Sequence, residues 1–252
     1  MQHPDCYVPV LADPYFFDRY YHLGLEWYSG LFRGAPASAR AIGELSHDYL
    51  FSPAAAERIA RDLPGVRLLV CLRHPVERAF SQYLSMVRAG MTRIPFEAAI
   101  RTFPEIIGHS RYATHLATYY SHFSRDQINV LWYENLVYDP VQFGKQIFDF
   151  LGVSTPINIA YGRHVNPAGY PRSFWAARLA RALTNFARDL GFTTLVGRLK
   201  RSRVRELFYR EFAPNERPVI HPATRQQLLA ALEPDVEELE NLLGVTLRHW
   251  RQ

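Results

Sequence analysis

The sequence predicts an α/β protein, a parallel sheet flanked by helices, and three observations point there. Val66 to Leu72 is a short aliphatic and β-branched run of the kind that forms a buried strand. Gln127 to Tyr133 is a second such run. Between and after them lie stretches of helical periodicity, and strands alternating with helices pair in parallel through right-handed crossovers. Hydrophobic content of 48% and aromatic content of 14% exclude a disordered chain. At 252 residues the chain can bury a sizeable core, and a single domain over 1–252 is expected.

Each element has its own local reason. Ala41-Ile42 reads as a short strand, and Pro53 to Leu63 as a helix whose N-cap, Ser52, can accept an orphan backbone N–H. After the first long strand, Pro75 sits where a helix starts, because its missing N–H is an orphan there anyway. Val76, Phe80, Tyr83, Leu84 and Val87 then recur at spacings of three and four, which marks the core face. Glu77, Arg78, Ser81, Ser85 and Arg88 fall on its flank, so Ser81 looks away from the core. Phe96 to Phe103 and Ser110 to Phe123 are further helices, the latter with Tyr112, Leu116, Tyr119 and Phe123 on one face. The second strand ends in an acidic turn, Glu134-Asn135, expected close to Arg73. Asp139-Pro140 opens a helix that Gly152 closes, Gly162 to Arg172 is a polar loop, and Pro222 to Leu243 is a long amphipathic helix stopped by Gly244.

Charge and cysteine usage narrow the function. The net charge is +5, and lysine occurs only at Lys145 and Lys200, so arginine supplies nearly all 29 basic residues. Arginine suits bidentate recognition of phosphate and sulfate. The basic excess concentrates between Arg172 and Arg210, where Trp175, Leu179, Leu183 and Phe186 make an apolar stripe on a helix. That stripe is expected to pack, leaving a solvated basic face beside a polyanionic acceptor; a membrane-surface or nucleic-acid patch is the alternative. No nucleic-acid partner is expected. Two cysteines, Cys6 and Cys71, make no disulfide framework, and Cys71 reads as a small buried hydrophobe. The ten histidines lack metal-ligand spacing, so no metal is expected. No apolar run is long enough to span a bilayer and no basic-then-apolar leader opens the sequence, which points to a cytoplasmic protein.

Arg73 stands at a strand's carboxyl end beside a helix amino-terminus, where backbone N–H groups, the helix dipole and a guanidinium all favour an anion. A strand–turn–helix with merely solvated arginines is the alternative. Arg73-x-Pro75-x-x-Arg78-x-x-Ser81-x-Tyr83 resembles the 3′-phosphate-binding segment of sulfotransferases that use 3′-phosphoadenosine-5′-phosphosulfate (PAPS). Asp13-Pro14-Tyr15-Phe16-Phe17-Asp18 resembles that family's Glu-Pro-x-Phe-Phe element. Gly43-Glu44-Leu45-Ser46-His47-Asp48-Tyr49-Leu50 resembles its Gly-Glu-x-Ser-Pro-x-Tyr segment, and Gln127 to Gly152 its strand, acidic turn and Phe-Leu-Gly helix. The resemblance covers nearly the whole chain and is nearest the carbohydrate, heparan-sulfate-type branch.

The resemblance implies a P-loop-NTPase-like parallel sheet, PAPS as donor co-substrate, and Arg73 and Ser81 on the donor's 3′-phosphate. It implies a base at Asp13, in the place of the family's glutamate; a turn role ahead of Pro14 is the alternative. Glu44 and His47 are reserve candidates. It also exposes a gap. The family cradles the 5′-phosphosulfate with a Gly-rich strand–loop–helix carrying a lysine, and no lysine precedes Lys145 here. The family's first strand and loop are therefore expected to be missing, through a misassigned start codon, a shortened clone or true loss. The expected activity is sulfuryl transfer to a hydroxyl or amine of a glycan or small molecule, impaired in residues 1–252. The alternative is a non-catalytic protein that binds adenosine 3′,5′-bisphosphate or pairs with another subunit. Oligomeric state is not legible.

Overall fold

The computed structural model describes residues 3–9, 13–156, 169–171, 173–189, 209–211 and 218–252. Spatial proximity divides the chain into two compact units, each drawn from two stretches of sequence. The first is Met1–Arg73 with Thr114–Arg163, and the second His74–Ala113 with His164–Gln252.

In the first unit, β1 (Cys6–Tyr7) pairs in parallel with β2 (Ala41–Ile42). The chain between them passes through a π turn at Phe16–Tyr20 and α1 (Gly24–Gly30). Helix α2 (Pro53–Asp62) starts on its proline, with the Ser52 hydroxyl accepting the Ala55 N–H at 3.2 Å, as the sequence predicts. Strand β3 (Leu68–Leu72) then pairs in parallel with β4 (Ile128–Trp132), in register from Leu68↔Ile128 to Leu72↔Trp132. The core of this unit is strongly aromatic. Phe16 stacks on Tyr28 with centroids 4.6 Å apart, and Phe17, Ile59, Tyr119, Phe123 and Ile128 close around them.

Strand β3 departs from expectation in one respect. Its residues alternate instead of being buried throughout: Leu72 is fully enclosed, while Leu69 and Cys71 are exposed. Cys71 is thus not the buried hydrophobe expected, because its side chain points to the uncovered face of the pleat.

The second unit is built on α3 (Pro75–Arg88), whose Val76, Phe80, Tyr83, Leu84 and Val87 are all buried. They pack against α4 (Phe96–Thr102), α5 (Glu105–Gly108) and a long carboxyl-terminal helix, through Phe96, Ile106, Leu228 and Leu232. Helix α6 (Tyr112–Tyr120) leads back into the first unit. There β4 runs into α7 (Tyr133–Tyr138), so the acidic turn expected at Glu134-Asn135 is helical. Next comes α8 (Pro140–Leu151), capped by the Asp139 carboxylate and ended by Gly152 at φ 71°.

The remaining elements belong to the second unit. Strands β5 (Gly169–Pro171) and β6 (Tyr209–Glu211) pair antiparallel, an exception to the parallel arrangement expected. Most of the expected polar loop, 162–168 and Arg172, lies outside the described residues. Helix α9 spans Phe174–Asp189 and α10 spans Pro222–Leu243. The expected packing of the α9 stripe fails: Trp175, Leu179, Leu183 and Phe186 are 58–71% exposed. Among its described residues, small Ala177 is the buried one, so α9 is held by its other side. Among the described residues no helix is long and apolar enough to cross a membrane.

Candidate active site

The sequence singles out Arg73, Ser81 and Asp13. Arg73 and Asp13 belong to the first unit and Ser81 to the second. The parallel register sets the ends of β3 and β4 side by side, so Arg73 falls opposite Tyr133. Its guanidinium lies 4.9 Å from the centre of the Tyr133 ring, a cation–π contact that orients a charged head at the strand terminus. The expected proximity of this strand end to Arg73 holds.

Ser81 is exposed on α3, opposite the buried face, with its hydroxyl turned from the core. The other arginine of the same motif has a different occupation. Arg78 is half-buried and donates to Ser110 Oγ at 2.7 Å, to Gln82 Oε1 at 2.6 Å and to the Ile106 carbonyl. Desolvation lowers its guanidinium to about 10. Arg78 therefore ties α3 to the α5–α6 corner. His74, unremarked in the sequence, caps α3: its Nδ1 accepts the Val76 N–H at 3.2 Å.

Asp13 sits in contorted backbone. Asp13 and Tyr15 have φ of 58° and 52°, and among the described residues they are the non-glycine residues with positive φ. Pro14 between them is fully buried, and the π turn follows directly. Such conformations cost about 1–3 kcal/mol each and persist where the surroundings enforce them. Here the enforcement is visible: Asp13 N–H donates to the Leu45 carbonyl at 3.0 Å, Tyr49 Oη accepts the Phe17 N–H at 3.2 Å, and Arg58 donates to the Phe17 and Asp18 carbonyls at 2.7 and 3.0 Å.

These bonds bring residues 13–18 against 44–49, and with them both reserve candidates. His47 Nδ1 hydrogen-bonds Asp13 Oδ1. Glu44 is half-buried; desolvation pushes its carboxyl up to about 7 against the opposing hydrogen bonds from Tyr49 and Tyr28, and Asp13 adds repulsion. Its Oε2 is enclosed without a hydrogen-bond partner. Desolvation likewise raises the Asp48 carboxyl, while Arg19, 2.5 Å away, opposes the shift. Two perturbed carboxylates and an Asp–His pair in one cluster are the groups proton transfer needs. Among the described residues no group of His, Cys, Asp and Glu is arranged to hold a metal.

An arginine at a strand-to-helix junction and an acid–base cluster on a strained loop are features suited to handling an anion and moving a proton. The comparisons sharpen this. The profile of the Sulfotransferase family matches residues 18–156, more than half of the chain, and the chain belongs to that family. It is 31% identical over 178 residues to mouse heparan sulfate glucosamine 3-O-sulfotransferase 3B1, covering 67% of this chain and 45% of that protein. It is 27% identical over 176 residues to the Xenopus laevis bifunctional heparan sulfate N-deacetylase/N-sulfotransferase 1, of which it covers 20%. The chain thus spans less than half the length of these relatives. The crystal structure of a sulfotransferase from Alicyclobacillus acidocaldarius superposes with a TM-score of 0.71 at 26% identity, over 100% of this chain and 90% of that one. The fold is the α/β sulfotransferase fold.

Proposed function

We propose that this protein transfers a sulfuryl group from 3′-phosphoadenosine-5′-phosphosulfate to a hydroxyl or amine of a carbohydrate. One observation carries the reading: the Arg73-x-Pro75…Ser81-x-Tyr83 segment stands at a strand-to-helix junction in a chain of the Sulfotransferase family. Arg73 and Ser81 take the donor's 3′-phosphate, Arg73 as a charged donor and Ser81 through its free-facing hydroxyl. The heparan sulfate relatives support a glycan acceptor, and the arginine-dominated charge of +5 suits a polyanionic one. The catalytic base lies in the Asp13 cluster.

Sulfuryl transfer, like phosphoryl transfer, depends on positioning and charge neutralisation more than on covalent help. Lys145, one of two lysines, is on α8 in an ion pair with Asp149 at 2.5 Å, so it is not a substitute for the family's loop lysine. Residues 1–252 are therefore expected to turn over slowly. A second reading, nucleotide binding without transfer, rests on the same lysine census.

Titration calorimetry with adenosine 3′,5′-bisphosphate tests the donor assignment. Arg73→Ala should weaken affinity tenfold or more, about 1.5–3 kcal/mol for a charge-assisted bond. Ser81→Ala should weaken it less. Unchanged affinity in Arg73→Ala overturns the phosphate role. Transfer of 35S label from donor to a heparan-type glycan separates the enzyme from the binding protein.

A further inference from the structure

Two places where the site segments depart from the family pattern meet. Asp13 stands where the pattern has glutamate, and His47 where it has proline. The two are 34 residues apart in sequence and hydrogen-bonded to each other. An aspartate is one methylene shorter than a glutamate, and the Asp13 side chain is only 15% exposed, whereas that of His47 is 79% exposed. The carboxylate is the more enclosed member of the pair and the imidazole the more exposed.

We infer that His47 is the group that takes the acceptor's proton and that Asp13 is its positioning residue. This rests on the sulfotransferase reading and names the base within it. With Asp13 Oδ1 accepting from Nδ1–H, the neutral ring carries its lone pair on Nε2, the nitrogen facing away from Asp13. In the step, the acceptor O–H or N–H gives its proton to Nε2 as the acceptor atom bonds to sulfur. The bond from sulfur to the donor's bridging phosphate oxygen breaks with its electron pair. Adenosine 3′,5′-bisphosphate leaves, and the Asp13 carboxylate stabilises the imidazolium until it loses the proton to water. A neutral imidazole is suited to accept a proton near neutral pH.

The backbone supports the assignment independently. The positive φ at Asp13 and the Asp13 N–H to Leu45 carbonyl bond both fix residue 13 against the strand-following segment that carries His47. Strain of this kind concentrates at functional sites. Among the described residues, the carboxylates of Glu44 and Asp48 interact with Asp13, Asp48 also interacts with His47, and Arg19 pairs with Asp48 and Asp18.

The test uses the whole chain, 35S-labelled donor and a heparan-type glycan, with His47→Ala, His47→Gln and Asp13→Asn. His47→Ala should cut turnover about a hundredfold or more, the usual scale for losing a positioned base. Added imidazole should restore part of it, while adenosine 3′,5′-bisphosphate affinity stays unchanged. Asp13→Asn should cut turnover and move the alkaline-rising limb of the pH profile to lower pH. 15N NMR of His47 should show the Nδ1–H tautomer. Turnover in His47→Ala within about threefold of wild type, with nucleotide still bound, sinks the dyad and leaves the function standing. A loss that imidazole does not restore, or an Nε2–H tautomer, also overturns it. A wild-type chain that neither transfers label nor binds nucleotide defeats the functional reading, and this inference with it.

Discussion

Helices α3 and α9 carry the same kind of apolar stripe, at spacings of three and four, and meet opposite fates. On α3, Val76, Phe80, Tyr83, Leu84 and Val87 are buried beneath Phe96, Ile106, Leu228 and Leu232. On α9, Trp175, Leu179, Leu183 and Phe186 are exposed, and the helix is held through its narrow side. There Ala177 packs beside Gly90, and Arg93 lies 4.0 Å from the Phe174 ring centre. Periodicity tells that a helix has a face; it does not tell what covers it. Coverage depends on partners supplied from distant parts of the sequence, and only α3 has them among the described residues.

The largest test of this contrast is Phe80→Ala. Phe80 packs edge-on against Phe96, with centroids 5.1 Å apart, at the centre of the second unit's core. Removing a buried phenyl ring costs about 3–5 kcal/mol through lost transfer energy and the cavity left behind. A urea midpoint shifted by less than about 1 kcal/mol equivalent would mean that the α3 stripe is not the core it is taken to be.

Gly90 tests how α9 is attached. It lies just past α3 at φ 65°, where an added Cβ would stand 2.9 Å from the Phe174 carbonyl oxygen, 3.1 Å from the Arg178 nitrogen and 3.3 Å from Ala177 Cβ. Gly90→Ala should cost about 1–3 kcal/mol from left-handed backbone strain and overpacking, and should make α9 more open to limited proteolysis. Gly108→Ala, with nothing within 4 Å of its added Cβ, is the control and should be near neutral. Equal effects of the two substitutions would break the assignment of Gly90 as the point where α9 approaches.

The elements set by local chemistry were legible. Pro53, Pro75, Pro140 and Pro222 each begin a helix, and Gly152 and Gly244 each end one at positive φ, because these residues act through their own backbone. Arg73 beside Tyr133 was also legible, since parallel register fixes which strand ends adjoin. Legibility stopped where an interaction is non-local. Nothing near Arg78 in sequence says that Ser110 and Ile106 take up its donors. The bond between Asp13 and His47 was hidden likewise, although each was a candidate on its own. The signal that could have joined them was available, two departures from one family pattern, but the positive φ that aims Asp13 has no glycine to announce it. Cys71 and Leu69 belong to the same class, misjudged because a continuous apolar run does not show that one face of β3 goes uncovered.

The smallest expected effect is the most discriminating for α9. Leu179 and Leu183 are 61% and 58% exposed, so replacing each with serine removes little buried surface. Serine is a somewhat poorer helix former than leucine, and surface substitutions of this kind stay within about 0.5 kcal/mol. The double variant Leu179→Ser, Leu183→Ser should therefore shift the urea midpoint by about 1 kcal/mol equivalent at most, with no change in slope. It should also lower any tendency to self-associate, because four large apolar side chains in one row are a patch that soluble proteins rarely leave bare. A loss of 3 kcal/mol or more, on the scale of Phe80→Ala, would show that the stripe is covered in solution as the α3 stripe is. The contrast between the two helices would then be one of partner, not of exposure.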